Sequence, residues 1–505
     1  MPTTISRLLP KGSAERRAAV LIGAFLALRL VLSAVFPLIA DEAYAVVVSR
    51  LPTLSYFDHP PLGFDFARAA AWAFGSEASF FVRLPHVLLG SLSAWLMFLI
   101  GRQAFGAEAG FWAAAWYSVA PFFLVSAGFF AVPDGPLNFF LLLTTWLVLP
   151  ELTGGGRPDT RRWAVAGLAA GAALLSKYTA VLFGFAAFVV LAATPRGRRL
   201  LASPGPWLAG VVAIVCLTPV LIWNLEHDWA SFGFQSGRAF ATAAHPATFL
   251  AVQAGQALFL LPWNWALMLY LVARGLLRPG SDAERMFAAL AAVPIVVFDA
   301  VSLFSHETLP HWAMPGFLLA FPLLGVWYAE KLPRFARAIR RTFTASTAVV
   351  GVLAVLVALQ TNTALVTRAL DLPLRPGFDW TILSWNALAD DFRQRGILAD
   401  PDAYLLPGSW LIGGKAGHDL GPDLPVAPPP NDARHFGHMD DARLAARRTG
   451  YAVTAAWPGE TEAGKARLRE LLDKDYAVTG EAWIVPQRIG GQVAFEIVVQ
   501  PVERR

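Results

Sequence analysis

The stretch Asp41–Pro61, DEAYAVVVSRLPTLSYFDHPP, decides how the chain is read. It follows an apolar run, residues 18–38, of the ~20 residues a helix needs to cross a bilayer. Charged groups set directly against a membrane span are costly and call for a function. The rest of the chain fits a membrane protein. Of 505 residues, 56% are hydrophobic and 15% charged, and the mean hydropathy is +0.50. Polytopic membrane proteins have such a composition and soluble globular chains of this size do not. The formal charge is +5, with cations clustered between apolar runs, so a sequence pI of about 9.4 is no nucleic-acid signal. Cys216 is the sole cysteine, which excludes an intramolecular disulfide. The N-terminus has signal-peptide character (Arg7, Lys11, Arg16 and Arg17 before the apolar run) but no small-residue cleavage site, which favours an uncleaved first span.

Apolar runs near 18–38, 84–101, 111–128, 136–150, 163–176, 178–194, 206–223, 248–272, 286–304, 312–329 and 343–360 predict about eleven transmembrane helices. One alternating set of connections holds Arg102, Arg157, Arg161, Arg162, Arg196, Arg198, Arg199, Arg274, Arg278, Arg285 and the cations from Lys331 to Arg341. The positive-inside rule puts these and the N-terminus in the cytoplasm. The other set collects carboxylates and imidazoles on the outer, periplasmic face. Its first loop reads as two interfacial helices, 43–50 and 62–74, with Trp72, Phe74, Phe80 and Phe81 in the aromatic belt. Past residue 361 charge, Gly and Pro return. The expected architecture is an all-α polytopic membrane domain, residues 1–360, followed by a small periplasmic α/β domain, residues 361–505. In the latter, 380–396, 442–449 and 462–472 read as helices, and 404–412, 451–457 and parts of 476–502 as strands.

Asp41 or Glu42, at the outer end of the first span, has the chemistry of a general base, or is a solvated flanking charge. Tyr56-Phe57-Asp58-His59-Pro60-Pro61 stiffens the backbone behind an Asp–His pair, suited to a phosphate or an acidic substrate, or caps the following helix. Arg83 suits phosphate, or snorkels. Lys177 stands on the acidic side against the charge rule and is a candidate ligand contact. Asp134, in Val-Pro-Asp-Gly-Pro, binds substrate or caps a helix. Glu226, His227, His306, Glu307 and His311 are outer-loop candidates for substrate contact. Their spacing matches no metal motif, so neither a metal nor another cofactor is expected, a divalent ion being possible but not indicated. No glycine-rich phosphate loop occurs, so a group donor should be membrane-borne, as a polyprenyl-phosphate sugar is.

Asp41-Glu42-Ala43-Tyr44, Tyr56-Phe57-Asp58-His59-Pro60-Pro61-Leu62 and Arg83-Leu84-Pro85 resemble the GT-C glycosyltransferases of the protein-mannosyltransferase-like superfamily, family 39. Val132-Pro133-Asp134, Ser176-Lys177-Tyr178-Thr179, Ser203–Trp207 and His311–Pro315 continue the likeness, which covers about residues 18–330. The chain is similar, more distantly, to the aminoarabinose transferases of lipid A. The resemblance implies Asp41 as the catalytic carboxylate, a polyprenyl-phosphate sugar as donor, and inversion at the anomeric carbon. By position it assigns Lys177, His59 and Arg83 to the donor phosphate. It leaves Glu42, Tyr44, Tyr56, Asp58, Asp134, Glu226, His227, His306, Glu307 and His311 to bind the acceptor or orient the base. The aminoarabinose transferases carry Lys-Pro-Pro-Leu where this chain has His59-Pro60-Pro61-Leu62, and an Arg where it has Tyr44.

The expected function is therefore an inverting hexosyl or pentosyl transferase of the bacterial inner membrane. It would move a sugar to a lipid, glycan or protein acceptor at the periplasmic face, without nucleic acid. The rival class is a secondary transporter or flippase for a lipid-linked substrate. That class predicts repeated halves and ionisable groups near mid-span.

Overall fold

The computed structural model describes residues 12–154, 159–239, 244–305, 307–370, 380–472 and 475–505. Within them the chain is mostly helical, with one five-stranded sheet near the C-terminus. Five helices are long and apolar enough to cross a bilayer: Ser13–Val35, Ser79–Phe105, Asp134–Thr153, Asp282–Phe304 and the run Pro310–Thr363. Three apolar pairs are bent, Ala180–Ala193 with Pro195–Leu201 by 111°, Pro204–Cys216 with Thr218–Glu226 by 41°, and Pro246–Leu260 with Pro262–Leu277 by 105°. Counting each pair as one span gives eight among the described residues. Each second half opens with a proline in its first two positions (Pro195, Pro219, Pro262), which cannot continue the hydrogen-bond ladder before it.

Besides these bends, one expected span and one expected connection look different in the structure. The run 111–128 breaks at Pro121, between helices Ala107–Val119 and Pro121–Leu124. The carbonyls of Phe123 and Leu124 accept from Arg29, at 3.2 and 3.5 Å, so a cation buried inside the first apolar helix closes the break. The sequence reading gathered ionisable groups at helix ends and passed over this one. The charged segment Lys331–Arg341, expected as a loop, is helical. Met314–Thr363 runs for 50 residues and leaves helical geometry only at Phe335, two residues after Pro333.

The chain forms two compact units. The first comprises Met1–Leu30, Leu54–Gly63 and Pro85–Val350. Its core is aliphatic and aromatic. Trp116 packs on Tyr328 and Phe343 with ring centroids 5.1 and 5.2 Å apart.

The second unit comprises Val31–Thr53, Phe64–Leu84 and Gly351–Arg505. Its strands are β1 (Ala403–Pro407), β2 (Thr449–Ala456), β3 (Tyr476–Val478), β4 (Trp483–Ile489) and β5 (Gln492–Arg504). The order is β1-β2-β5-β3, with β4 also on β5, and only β1 and β2 run parallel. Gly490 and Gly491, both at positive φ, make the tight β4–β5 turn. The strand expected over 404–412 stops at Pro407. Ser409 then caps a helix, Trp410–Leu420, by accepting from the Ile412 N–H, and Gly421 at φ 90° ends it. This helix lies tight against Ala40–Ser49: a Cβ on Gly414 would fall 2.7 Å from the Tyr44 nitrogen. The two helices expected in the first outer loop are present, at Ala40–Ser49 and Leu62–Phe74.

Candidate active site

In the second unit, the site begins where the first apolar helix ends. A helix terminus leaves carbonyls without partners. Arg83 supplies them here. Its guanidinium donates to the carbonyls of Ser33 (3.3 Å), Phe36 (2.7 Å) and Pro37 (2.8 Å). It also meets Glu42 twice, through Nε at 2.7 Å and through Nη2. Those five hydrogen bonds use all five of its N–H groups. Both partners of the Arg83–Glu42 pair are fully buried. Glu42 reaches back to the Ile39 N–H at 3.0 Å, and the Ala40 N–H donates to the carbonyl of Thr381 at 2.8 Å. The turn 36–40 is thus clamped from several sides, and Asp41, the next residue, is exposed on the first turn of Ala40–Ser49.

These contacts bear on three expected roles. Arg83, expected on the donor phosphate, has its N–H groups spent on protein oxygens. Glu42, expected to bind the acceptor or orient the base, has its carboxylate enclosed with Arg83. Tyr44 is buried edge-on against Phe64, Trp410 and Phe436, at 6.2, 5.0 and 5.6 Å, and its hydroxyl accepts from the His435 N–H at 3.0 Å. It anchors a helix.

In the first unit, a different cluster forms. Lys177 donates to both carboxylate oxygens of Asp134, at 2.9 and 3.1 Å, with both side chains buried. Local sequence puts each where a helix favours its charge. Asp134 opens the helix Asp134–Thr153, and Lys177 ends Thr160–Ser176 in an extended conformation. His311 and His59 are the other electrostatic neighbours of Asp134. His311 lies on the short helix Pro310–Ala313 and stacks over Phe122 at 6.4 Å. His59 sits in a turn whose carbonyl accepts from the Tyr56 N–H at 3.3 Å. The Asp58 carbonyl accepts from Gln235 at 2.6 Å, and Phe57 packs on Phe234 at 4.9 Å. Gly63 allows this loop to close on Pro133, where a Cβ would fall 3.3 Å from the proline Cα. Tyr178, which the sequence reading did not single out, bonds Ser231 at 2.6 Å. Burial pushes its hydroxyl pKa up, and nearby Asp58 adds in the same direction.

Other candidates fall elsewhere. Glu226 is exposed at the end of Thr218–Glu226, and His227 stacks on Trp223 at 4.1 Å while bonding its carbonyl. Glu307 is exposed and pairs with Arg238 at 3.1 Å. His306 lies outside the described residues. Among those residues no three His, Cys, Asp or Glu side chains gather as metal ligands.

Residues 58–223 match the family model of dolichyl-phosphate-mannose-protein mannosyltransferases. The lipid A galacturonosyltransferase RgtD of Rhizobium johnstonii is 27% identical over 299 residues, 57% of this chain and 59% of that protein. ArnT from Cupriavidus metallidurans in the apo state superposes with a TM-score of 0.65 at 16% identity, covering 97% of this chain and 98% of ArnT. The family model thus matches about a third of this chain, and the chain spans about three fifths of the length of RgtD. ArnT bound to undecaprenyl phosphate matches the chain with a TM-score of 0.63 at 17% identity, over 95% of the chain and 97% of ArnT. At such identity the likeness to ArnT shows a shared fold, mostly helical with a small C-terminal sheet.

Proposed function

We propose that the protein is an inverting glycosyltransferase that takes its sugar from a polyprenyl-phosphate donor, at the periplasmic face of a bacterial inner membrane. Asp41 accepts the proton from an acceptor hydroxyl or amine as that group attacks the anomeric carbon. The bond from that carbon to the phosphate oxygen breaks, and the electron pair leaves on the polyprenyl phosphate, which gains a negative charge. Lys177, with His59 and His311 beside it, stabilises that charge. Asp134 holds Lys177 in place until the phosphate arrives, and Asp58 and Tyr56 shape the loop that presents His59. Arg83, Glu42 and Tyr44 serve by fixing the turn that carries the base.

One observation carries this reading. Of two adjacent carboxylates on a charge-clamped turn, Glu42 is enclosed and Asp41 is open. A clamp of that cost around an idle surface charge would be without purpose. Residues 361–505 lie outside in this reading, in keeping with the charge asymmetry of the connections. A lipid acceptor is favoured, since RgtD is a lipid A galacturonosyltransferase. The test is a deletion strain whose envelope lipids and glycans are profiled by mass. Wild-type protein should restore a single added hexose, uronic acid or pentose mass, and Asp41→Asn should not. Restoration by Asp41→Asn would refute the reading.

A further inference from the structure

The clamp on the turn before Asp41 has a member far along the chain. Lys415 lies in the helix Trp410–Leu420 and is buried. Its Nζ donates to the carbonyl of Leu38 at 2.5 Å, three residues before Asp41. The approach is built for this reach. Gly414 lets the helix close on the backbone of Tyr44, where a Cβ would fall 2.7 Å from its nitrogen. The lysine stem then runs toward the start of Ala40–Ser49. Arg83 takes the carbonyls of Ser33, Phe36 and Pro37, which leaves Leu38 to Lys415. The same C-terminal segment holds the turn at two more points: Thr381 accepts from the Ala40 N–H at 2.8 Å, and Asn362 donates to the Val35 carbonyl at 3.2 Å.

We propose that Lys415 is a positioning residue for Asp41, and that the C-terminal domain is thereby part of the catalytic apparatus. The buried ammonium fixes the Leu38 carbonyl and with it the direction in which the first turn of Ala40–Ser49 presents its carboxylate. A desolvated lysine is costly in an interior that needs it only for packing, where leucine or methionine would serve. Here its partners are a carbonyl of the turn and the nearby charges of Asp419, Glu42 and Arg83. The inference rests on the assignment of Asp41 as the base.

The test uses the purified full-length protein. Membranes from the deletion strain supply donor and acceptor, and undecaprenyl phosphate is the binding probe. Lys415→Met should lower turnover at least tenfold, with the affinity for undecaprenyl phosphate and the melting temperature close to wild type. Arg50→Met is the control. Arg50 holds the same helix through the carbonyls of Gly417 and Gly421, at 3.0 and 3.3 Å, without touching Leu38. Its loss should leave turnover within about threefold. An equal drop in both variants makes the effect one of general docking and overturns the inference. Where Lys415→Met does not fold, Lys415→Gln, a donor too short for Leu38, takes its place: a tenfold drop at unchanged affinity supports the inference, and wild-type turnover overturns it. Wild-type turnover in Lys415→Met with an inactive Asp41→Asn defeats the positioning role alone. An active Asp41→Asn defeats the assignment beneath it.

Discussion

Among the described residues two buried ion pairs stand out, one in each compact unit, and they are built differently. Glu42–Arg83 is closed. Neither side chain reaches solvent, and every guanidinium N–H has a protein acceptor. Asp134–Lys177 is less complete. Both side chains keep a little exposure, 8% and 9%, the ammonium spends itself on one carboxylate, and His59 and His311 stand near. Arginine's planar fork suits a fixed junction, whereas lysine is a point charge on a flexible stem that can turn toward a new anion. The contrast separates a pair closed by its own protein contacts from the pair to which the proposed function assigns the phosphate.

Experiments that break this contrast begin with the largest effect. Asp41→Asn should lower transfer by ~10²- to 10⁴-fold, the usual contribution of a general base, with folding intact. Arg83→Met should destabilise the protein by about 3–5 kcal/mol, because Glu42 is left buried without its partner. It shows as loss of thermal stability in detergent, and Arg83→Lys should not repair it, since one ammonium cannot meet four acceptor groups. Lys177→Met should lower turnover by ~10²- to 10³-fold, the size of a lost charge-stabilising donor, and weaken undecaprenyl phosphate binding, with a smaller loss of thermal stability than Arg83→Met because Asp134 keeps some exposure and has His59 and His311 near it. If Arg83→Met weakened phosphate binding while folding normally, and Lys177→Met unfolded the protein, the two pairs would have to exchange roles.

A smaller effect follows from Lys415. Burial lowers its pKa from 10.5 to about 8, against the raising pull of Asp419 and Glu42, with Arg83 lowering it further. The unfolded chain keeps that proton up to about pH 10.5, so between pH 8 and 10.5 the unfolded state binds more protons. Stability from this group therefore rises with pH across that window. Wild-type melting temperature should climb relative to Lys415→Met over the window and run parallel to it below pH 7. The smallest effect belongs to Glu226→Ala, which should leave turnover within about twofold, a surface change away from both pairs.

The sequence showed the membrane character, the two first-loop helices and the residues of the Asp134 cluster, because each leaves a local mark. Apolar runs declare spans, Pro60-Pro61 declares a break, and Lys177 on an acidic face contradicts the charge rule. Which cation meets which anion has no such mark. Arg83 and Lys177 were both read as phosphate ligands, and only the carbonyls around Arg83 tell them apart. The helix Trp410–Leu420 escaped notice because Gly413, Gly414 and Gly417 depress helix propensity. Gly414 serves the close approach to Ala40–Ser49, and Gly413 and Gly417 the approach of Phe436 and Val426, tertiary needs invisible along the chain. Ser409 before the helix and Gly421 after it were the available signals. The long helix Met314–Thr363 was divided because its charges read as a loop.

The most direct test of the account is a single-turnover measurement with purified protein and a polyprenyl-phosphate sugar donor, comparing wild type with Asp41→Asn. The account predicts a chemical step slowed at least ~100-fold in the variant, with undecaprenyl phosphate bound as tightly as by wild type. A variant that transfers the sugar at the wild-type rate would contradict it.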